Sequence, residues 1–191
     1  MKKIIHITLA GLIMAGVGCN DTDNKADTYA SSTKDQAEKA NETGAATSEN
    51  NSDFLMTAAS GGMMEVELGQ MAQRNAASQQ VKDFGSRMVT DHTKANEELK
   101  SLAASRNVTL PAMAEGKHRE HMTDLGKKTG SEFDKAYMDL MVSDHSEDID
   151  LFEKAANNSK DEAIKAFAVK TLPVLKAHHE AAKNIHQQLK K

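Results

Sequence analysis

The chain has 191 residues, with 24 basic and 28 acidic side chains and a formal net charge of −4. This balance argues against a nucleic-acid-binding protein, and no basic stripe interleaved with aromatic residues is present. The single cysteine leaves no intramolecular disulfide to stabilise the fold.

The first 18 residues have the order of a secretory signal. Two lysines form a basic head, residues 4–17 are mostly apolar, and small residues precede Cys19. The segment is too short for a spanning helix. A lone cysteine at this position resembles the lipobox of bacterial lipoproteins, in which the thiol is lipidated after export, and plain signal cleavage after Gly18 is the alternative. We therefore expect a protein of the bacterial cell envelope, either periplasm-facing or an outer-membrane lipoprotein. We expect its lipid anchor to attach it to the membrane.

Residues 19–52 are predicted to be the lipidated cysteine and a disordered tether. From residue 20 onwards the stretch contains no Leu, Ile, Val, Met or Phe and is rich in Asn, Asp, Thr, Ser, Lys, Glu and Ala. Such a segment buries too little apolar surface to offset the entropy lost on ordering. We expect it to hold the folded part, residues 53–191, off a membrane.

Residues 53–191 are dominated by strong helix formers and lack β-branched alternation, which predicts an all-α fold. Apolar stripes define four helices, at about residues 53–75, 78–105, 131–156 and 161–189. The connection between the second and third helices can run the length of a bundle and has room for a short helix near residues 114–127. This arrangement predicts a ferritin-like four-helix bundle with a long crossover between its second and third helices.

Two hexapeptides are near copies of each other: MVTDHT at 88–93 in the second helix and MVSDHS at 141–146 in the third. Asp and His are mediocre helix formers, so finding the pair twice in mid-helix indicates that two helices deliver the same chemistry to one place. With the long crossover, these two helices run in the same direction. The two copies are therefore expected at the same height.

Polar residues interrupt every apolar stripe near the middle of its helix. Carboxylates and imidazoles that are buried together must be hydrogen-bonded, ion-paired or metal-bound. Inward-facing carboxylates and histidines are also the general plan of metal sites in helical bundles. The candidate metal-site residues are Glu65, Asp91, His92, Asp144, His145, His178 and His179.

Three interpretations of this polar layer remain open. The first is a site for a transition-metal ion such as copper, iron or zinc, with the aspartates behind the ligands. Met88 and Met141 would suit copper, although methionine at helical spacing is more often core. The second is a buried hydrogen-bond and ion-pair network that fixes the register of the helices. The third is acid–base catalysis. We do not expect ferroxidase-type catalysis, because none of the four helices contains the Glu-x-x-His motif of di-iron bundles.

Two further features have a structural explanation that we favour. Glu115 and His118 lie in the crossover at ligand spacing, but beside Lys117 and Arg119 they are expected to form a solvated helix face. Gly61 and Gly62 weaken the middle of the first helix. We expect them to permit close helix approach, with a ligand cavity as the alternative.

The chain resembles a bacterial family of exported domains of unknown function, DUF4142, often labelled predicted outer membrane protein. The resemblance is carried by AASGGMMEVELGQMA at 58–72, VKDFGSRMVTDHTKANEEL at 81–99, GSEFDKAYMDLMVSDHSEDIDLFEKAA at 130–156 and LPVLKAHHEAA at 172–182. It implies a ferritin-like fold and export but no established activity. We expect an exported, lipid-anchored helical bundle with a candidate metal site. The alternative is a non-catalytic structural or stress-related envelope protein whose polar layer is only a hydrogen-bond network.

Overall fold

The structure is a computed structural model that describes the backbone of residues 27–190 and the side chains of residues 49–190. The described residues form five α-helices and no strand, which confirms the all-α prediction. The predicted signal segment, residues 1–18, and the predicted lipidation site, Cys19, lie outside the described residues. The helices are α1 (Asp27–Asn75), α2 (Gln79–Ala104), α3 (Gly116–Leu125), α4 (Gly130–Asn158) and α5 (Glu162–Leu189).

The chain divides into two compact units, Met1–Ala40 and Asn41–Lys191. The described backbone of the first unit is helical, and all the packing reported below lies in the second unit. Among the described residues, no helix combines the length and the apolar character needed to cross a membrane.

The first helix begins at Asp27 and not at Asp53, where the sequence pattern placed its start. The stretch from residue 27 to residue 52 contains no proline, and its Ala, Lys and Glu residues favour helix, although its many Ser, Thr, Asn and Asp residues do not. The prediction of a disordered tether gave more weight to the lack of apolar side chains. The role of this stretch as a spacer stays a prediction.

Two clusters of buried apolar side chains form the core, and α1, α2, α4 and α5 contribute to both. The predicted polar layer lies between the two clusters on α2, α4 and α5, and on α1 Glu65 directly follows Met64, where one of the clusters begins. We name the clusters by one member each. The Tyr137 cluster includes Met64, Leu68, Phe84, Met88, Phe133, Tyr137, Met141 and Ala182. The Phe152 cluster includes Phe54, Leu55, Leu99, Ala103, Phe152, Ile164, Phe167 and Leu175.

The order of the clusters along each helix gives its direction. Both α2 and α4 pass from the Tyr137 cluster to the Phe152 cluster, whereas α1 and α5 pass the opposite way. The repeat copies on α2 and α4 therefore lie at the same height, and the ring centroids of His92 and His145 are 5.7 Å apart. The prediction that the two helices run in the same direction is confirmed.

The sequence pattern placed Asp91 and Val174 on the inward stripes of their helices, but in each case the buried side chain is that of the next residue. In α2 the buried stripe runs through Met88, His92 and Leu99, and Asp91 is only partly buried. In α5 Leu175 is buried, whereas Val174 is 39% exposed. In α2 the step of four residues from Met88 to His92 follows the 3.6-residue helical period better than the step of three that would reach Asp91.

Gly62 of α1 lies in tight contact with the Asn96 side chain of α2. A Cβ atom at this position would overlap the side-chain amide of Asn96 on α2. At Gly61 a Cβ would make only ordinary contacts, 3.7 Å from the His118 ring and 3.8 Å from a carboxylate oxygen of Asp148. The expected reason, close helix approach, therefore applies to Gly62 and not to Gly61.

Candidate metal centre

Three buried histidines from three helices form a triangle within the polar layer. Their ring centroids lie 5.7 Å apart for His92 and His145, and 5.4 Å apart for each of these with His178. One ring nitrogen from each histidine lies within 4.8 Å of those of the other two. Helix α2 supplies His92, α4 supplies His145 and α5 supplies His178, so the assembly depends on tertiary packing.

Outer partners fix the orientation of two of these rings. Nδ1 of His145 lies 3.1 Å from the backbone oxygen of Met141, which can only accept, so Nδ1 carries the proton and Nε2 has the lone pair. Nε2 of His178 donates to Oδ2 of Asp91 at 2.7 Å, which leaves the lone pair on Nδ1. A histidine that donates its other ring proton to a carboxylate or a carbonyl is oriented as metal-binding histidines usually are.

Asp91 is the carboxylate that holds His178. Partial burial acts to raise its pKa, but the hydrogen bonds from His178 and from Arg87, with their charges, hold that pKa below the usual value. Asp91 is therefore ionised at neutral pH and can accept the proton of His178 Nε2. Its side chain is 34% exposed, so it lies at the edge of the layer and not inside it.

Glu65 of α1 is fully buried beside two of the histidines. Its Oε2 lies 2.7 Å from Nδ1 of His92, and its Oε1 lies 3.3 Å from Nε2 of His145. Neither contact has the angle of a hydrogen bond, so both oxygens remain without a hydrogen-bond partner. Glu65, His145 and Asp144 form a second group of potential ligand atoms within 4.8 Å of one another.

The buried polar atoms that lack a hydrogen-bond partner gather in this one place. Within the described side chains seven such atoms occur, and six of them belong to the layer. An unpaired buried polar group typically costs about 1–3 kcal/mol, so this concentration in a native core calls for a ligand or ordered water. The atoms are both Glu65 carboxylate oxygens, His92 Nε2, Asp144 Oδ2, His145 Nε2, His178 Nδ1 and, beyond the layer, the Tyr137 hydroxyl.

Burial sets the protonation of the layer. It raises the pKa of Glu65 to about 8 and, together with the nearby charge of Glu65, that of Asp144 to about 8. It lowers the pKa of His178 to about 4 and holds the pKa values of His92 and His145 below the usual value. At neutral pH the imidazoles are therefore neutral and keep their lone pairs for a cation, which would displace the protons of the two acids.

Five of the seven predicted site residues belong to the two groups of converging ligand atoms: Glu65, His92, Asp144, His145 and His178. Asp91 holds His178 from behind, and His179 is partly buried and belongs to neither group. Met88 and Met141 are fully buried members of the Tyr137 cluster, which is the core role that the sequence allowed for them.

Two residues of α4 have polar groups near the layer that were not predicted from the sequence. Tyr137 was predicted only as an apolar inward side chain, yet its buried hydroxyl lacks a partner. Its counterpart in the other repeat copy is Phe84, and this difference was an available signal. Asp148 lies one turn after Asp144. Burial and the nearby Glu65 and Asp144 raise the pKa of Asp148 well above the usual value.

The prediction of a solvated helix face around His118 is wrong for that residue. His118 is buried, and its Nδ1 lies 2.8 Å from Oγ of Ser60 on α1. The same hydroxyl accepts the backbone N–H of Glu115 at 2.9 Å. These bonds fasten the start of α3 to α1, so His118 has a structural role that helical spacing alone did not reveal.

Comparison with protein families matches residues 35–185 to the family described as Domain of unknown function (DUF4142). Comparison with curated proteins and with solved structures gives no match. The family description assigns no activity, so the chemistry must be argued from the layer itself. Imidazole nitrogens and carboxylate oxygens, without a thiolate, are ligands that suit zinc, copper and iron.

Proposed function

Because the chain belongs to the family described as Domain of unknown function (DUF4142), whose description states no activity, we propose from the geometry that it binds one transition-metal ion. The ion is held by His92, His145 and His178. The observation that carries the proposal is the convergence of three unpartnered imidazole nitrogens, one from each ring, at a buried point. Glu65 and Asp144 supply carboxylate oxygens within reach of His145.

The alternative is a structural envelope protein whose layer is only a buried network. A network requires polar contacts among its members, and the layer has two, from Glu65 to His92 at 2.7 Å and from Glu65 to His145 at 3.3 Å, but neither has hydrogen-bond geometry and six buried layer atoms keep no hydrogen-bond partner. The hydrogen bonds that do exist run outward, from His145 to Met141 and from His178 to Asp91. That pattern leaves the inner nitrogens free, which favours the metal.

The proposed ion is copper, iron or zinc. Three imidazoles provide the three protein ligands that catalytic zinc sites use, and they equally suit copper and iron. Helical bundles build such sites from side chains on facing helices. No thiolate is available from the folded part, because the one cysteine of the chain is Cys19.

We also propose that α1, α2, α4 and α5 form a ferritin-like four-helix bundle, with α3 in the crossover. The proposal is supported by the contribution of all four helices to both core clusters and by the shared direction of α2 and α4. A long connection between two such helices is the feature that separates ferritin-like bundles from simple up-and-down bundles. A crystal structure of the folded part would test this topology.

The proposed location is the bacterial cell envelope, with Cys19 carrying the lipid anchor. The support is the signal-like order of the first 18 residues, which ends at the one cysteine. Replacing Cys19→Ser should release the protein from the membrane fraction, and the mature N-terminus of the parent should carry lipid by mass spectrometry. Unchanged membrane association together with an unmodified parent N-terminus would contradict the anchor.

Metal binding is tested first by elemental analysis of protein purified without a metal-affinity tag. Chelator-treated protein is then melted with added copper, zinc or iron. An ion at a hundredfold excess over its dissociation constant should stabilise the parent by about 2.7 kcal/mol. His92→Ala, His145→Ala and His178→Ala should each lose most of this gain, since each removes one of three ligands.

His186→Ala is the matched control on α5. His186 forms an ion pair with Asp139 and belongs to neither group of converging ligand atoms, so its removal should leave the metal-induced shift intact. A parent that is metal-free as purified and does not respond to any of the three ions would refute the metal site. The network interpretation would then stand.

A further inference from the structure

A small cavity lies against one side of the polar layer. Its volume is about 30 Å³, and its inner wall includes Glu65, His92 and His178. The other two members of the converging groups, Asp144 and His145, do not line it. The cavity therefore reaches the layer at Glu65, His92 and His178 and not at Asp144 or His145.

The rest of the cavity wall is mostly apolar and leads outward. Leu99, Phe152, Phe167 and Leu175 contribute buried apolar surface, and Val174, which also lines it, is 39% exposed. A cavity needs roughly 10–15 Å³ to hold one water molecule, so this space admits a ligand of two or three heavy atoms and not an organic substrate. Apolar walls favour a small ligand that is weakly hydrated. Asp91 and Asp148 also line the cavity, so an anion is attracted there only by the positive charge of a bound ion.

The packing around Gly62 preserves this space. Gly62 and Asn96 both line the cavity, and the Asn96 side chain occupies the place that a Cβ at Gly62 would need. A larger residue at position 62 would push Asn96 from its position beside the cavity. Both structural roles foreseen for this glycine, close helix approach and a cavity, therefore meet at one residue.

A metal ion with three protein ligands usually keeps an open position, whereas a closed four-ligand site is structural. We propose, resting on the metal site proposed above, that the ion keeps one exchangeable coordination position facing this cavity. That position takes a small anionic or neutral ligand of two or three heavy atoms. The cavity thus makes the centre a ligand-binding site and not a purely structural one.

The test uses the full mature chain loaded with Cu(II) and titrated with sodium azide. Copper content is measured first for every variant. The parent should then develop a saturable azide-to-copper charge-transfer band. Ala95→Leu fills the cavity from α2, since Ala95 lines it, and should weaken azide binding about tenfold or more because the ligand must displace packed atoms.

Val174→Phe blocks the outer end of the cavity and is the second variant, in case Ala95→Leu fails to fold. Val169→Phe is the matched control, because Val169 is an exposed valine of the same helix that does not line the cavity. The control should load copper and bind azide like the parent. Val174→Phe should load copper like the parent and bind azide more weakly.

The outcomes separate the two proposals. A parent that loads copper but shows no azide band would overturn the open position and leave the metal site standing. Equal azide affinity in the parent, Ala95→Leu and Val174→Phe would also overturn it, since the ligand would reach the ion by another route. A parent that loads no metal in any form would remove the metal site and, with it, the open position.

Discussion

The two copies of the Asp-His repeat share a sequence but use their aspartates in opposite ways. His92 and His145 are alike in that both are buried, both contact Glu65 and their rings lie 5.7 Å apart, although His92 contacts Glu65 through Nδ1 and His145 through Nε2. Asp91 is 34% exposed and bonded to His178. Asp144 is buried, and its Oδ2 has no hydrogen-bond partner.

Helix geometry explains the common feature, and tertiary packing explains the difference. Neighbouring residues on a helix point about 100° apart, so an Asp and a His in sequence cannot both point at one centre. In both copies the histidine faces the centre. The aspartate therefore points to one side, and its contacts depend on the helix that packs there. On α2 the neighbour is His178 of α5, and on α4 it is the buried Glu65. A repeat therefore specifies residue type and height, but not the role of every side chain.

The largest expected difference between the copies concerns the stability of the metal-free protein. Asp91→Ala leaves the Nε2–H of His178 buried without an acceptor, which should lower the free energy of unfolding by about 1–3 kcal/mol. Asp144→Ala removes a carboxyl oxygen that has no partner, so its loss should be clearly smaller. Urea denaturation at pH 7 in the presence of a chelator measures both.

Arg87→Ala is the control for the surface part of the Asp91 contacts. Arg87 and Asp91 form an exposed pair on one helix, and such pairs contribute only about 0.3–0.5 kcal/mol. If Asp91→Ala lowers the free energy of unfolding no more than Arg87→Ala does, the hydrogen bond between Asp91 and His178 does not stabilise the fold. If Asp144→Ala costs as much as Asp91→Ala, the two aspartates are equivalent after all and the comparison fails.

The pH dependence of stability should also differ between the copies. The folded state raises the pKa of Asp144 to about 8, so it holds a proton that the unfolded chain has lost. Its contribution is complete at low pH and is lost as pH rises from about 4 to about 8. Between pH 6.5 and 8, Asp144 should lower the free energy of unfolding by up to about 1.4 kcal/mol per pH unit. Asp144→Asn should remove this term, so the variant should lose less stability than the parent as pH rises.

Asp91→Asn is the matched variant for this pH measurement. The folded state lowers the pKa of Asp91, so its contribution is present above the ordinary pKa of an aspartate and is lost only at acid pH. The slope between pH 6.5 and 8 should therefore stay as in the parent. The three buried histidines also add a pH-dependent term near the lower end of this window, because the folded state lowers the pKa of each of them, but parent and variants share that term and it cancels when their slopes are compared.

Sequence periodicity was sufficient to predict the helices and the height of the polar layer. Apolar stripes, interrupted once in mid-helix, located Glu65, His92, His145 and His178 on four helices, and all four are buried in the layer. The shared direction of α2 and α4 followed from the length of their connection. These features depend on spacing along a helix, and spacing is visible in a sequence.

Side-chain partners and helix starts were not predictable in the same way. Whether Asp91 or His92 faces the core depends on a one-residue choice between steps of three and four, which packing decides. The burial of His118 depends on a hydroxyl that is 58 residues away in the chain. The start of α1 at Asp27 reflects local helix propensity in a stretch with few apolar residues, where the two sequence arguments conflict.

The smallest expected effect tests an aromatic difference in the residues that flank the two copies. Tyr137 occupies the position that Phe84 occupies in the first copy, and the two rings lie 6.1 Å apart in an edge-to-face arrangement. Tyr137→Phe keeps that packing and the stacking on Phe133, while it removes a buried hydroxyl that has no partner. The metal-free variant should unfold at the same denaturant concentration as the parent or gain up to about 1 kcal/mol.

The comparison requires the chelated protein, because a bound ion or its ligand would give the hydroxyl a partner. A loss of 1 kcal/mol or more in the chelated protein would mean that the hydroxyl is already bonded, and that the second copy differs from the first by an added polar contact rather than by an unsatisfied one.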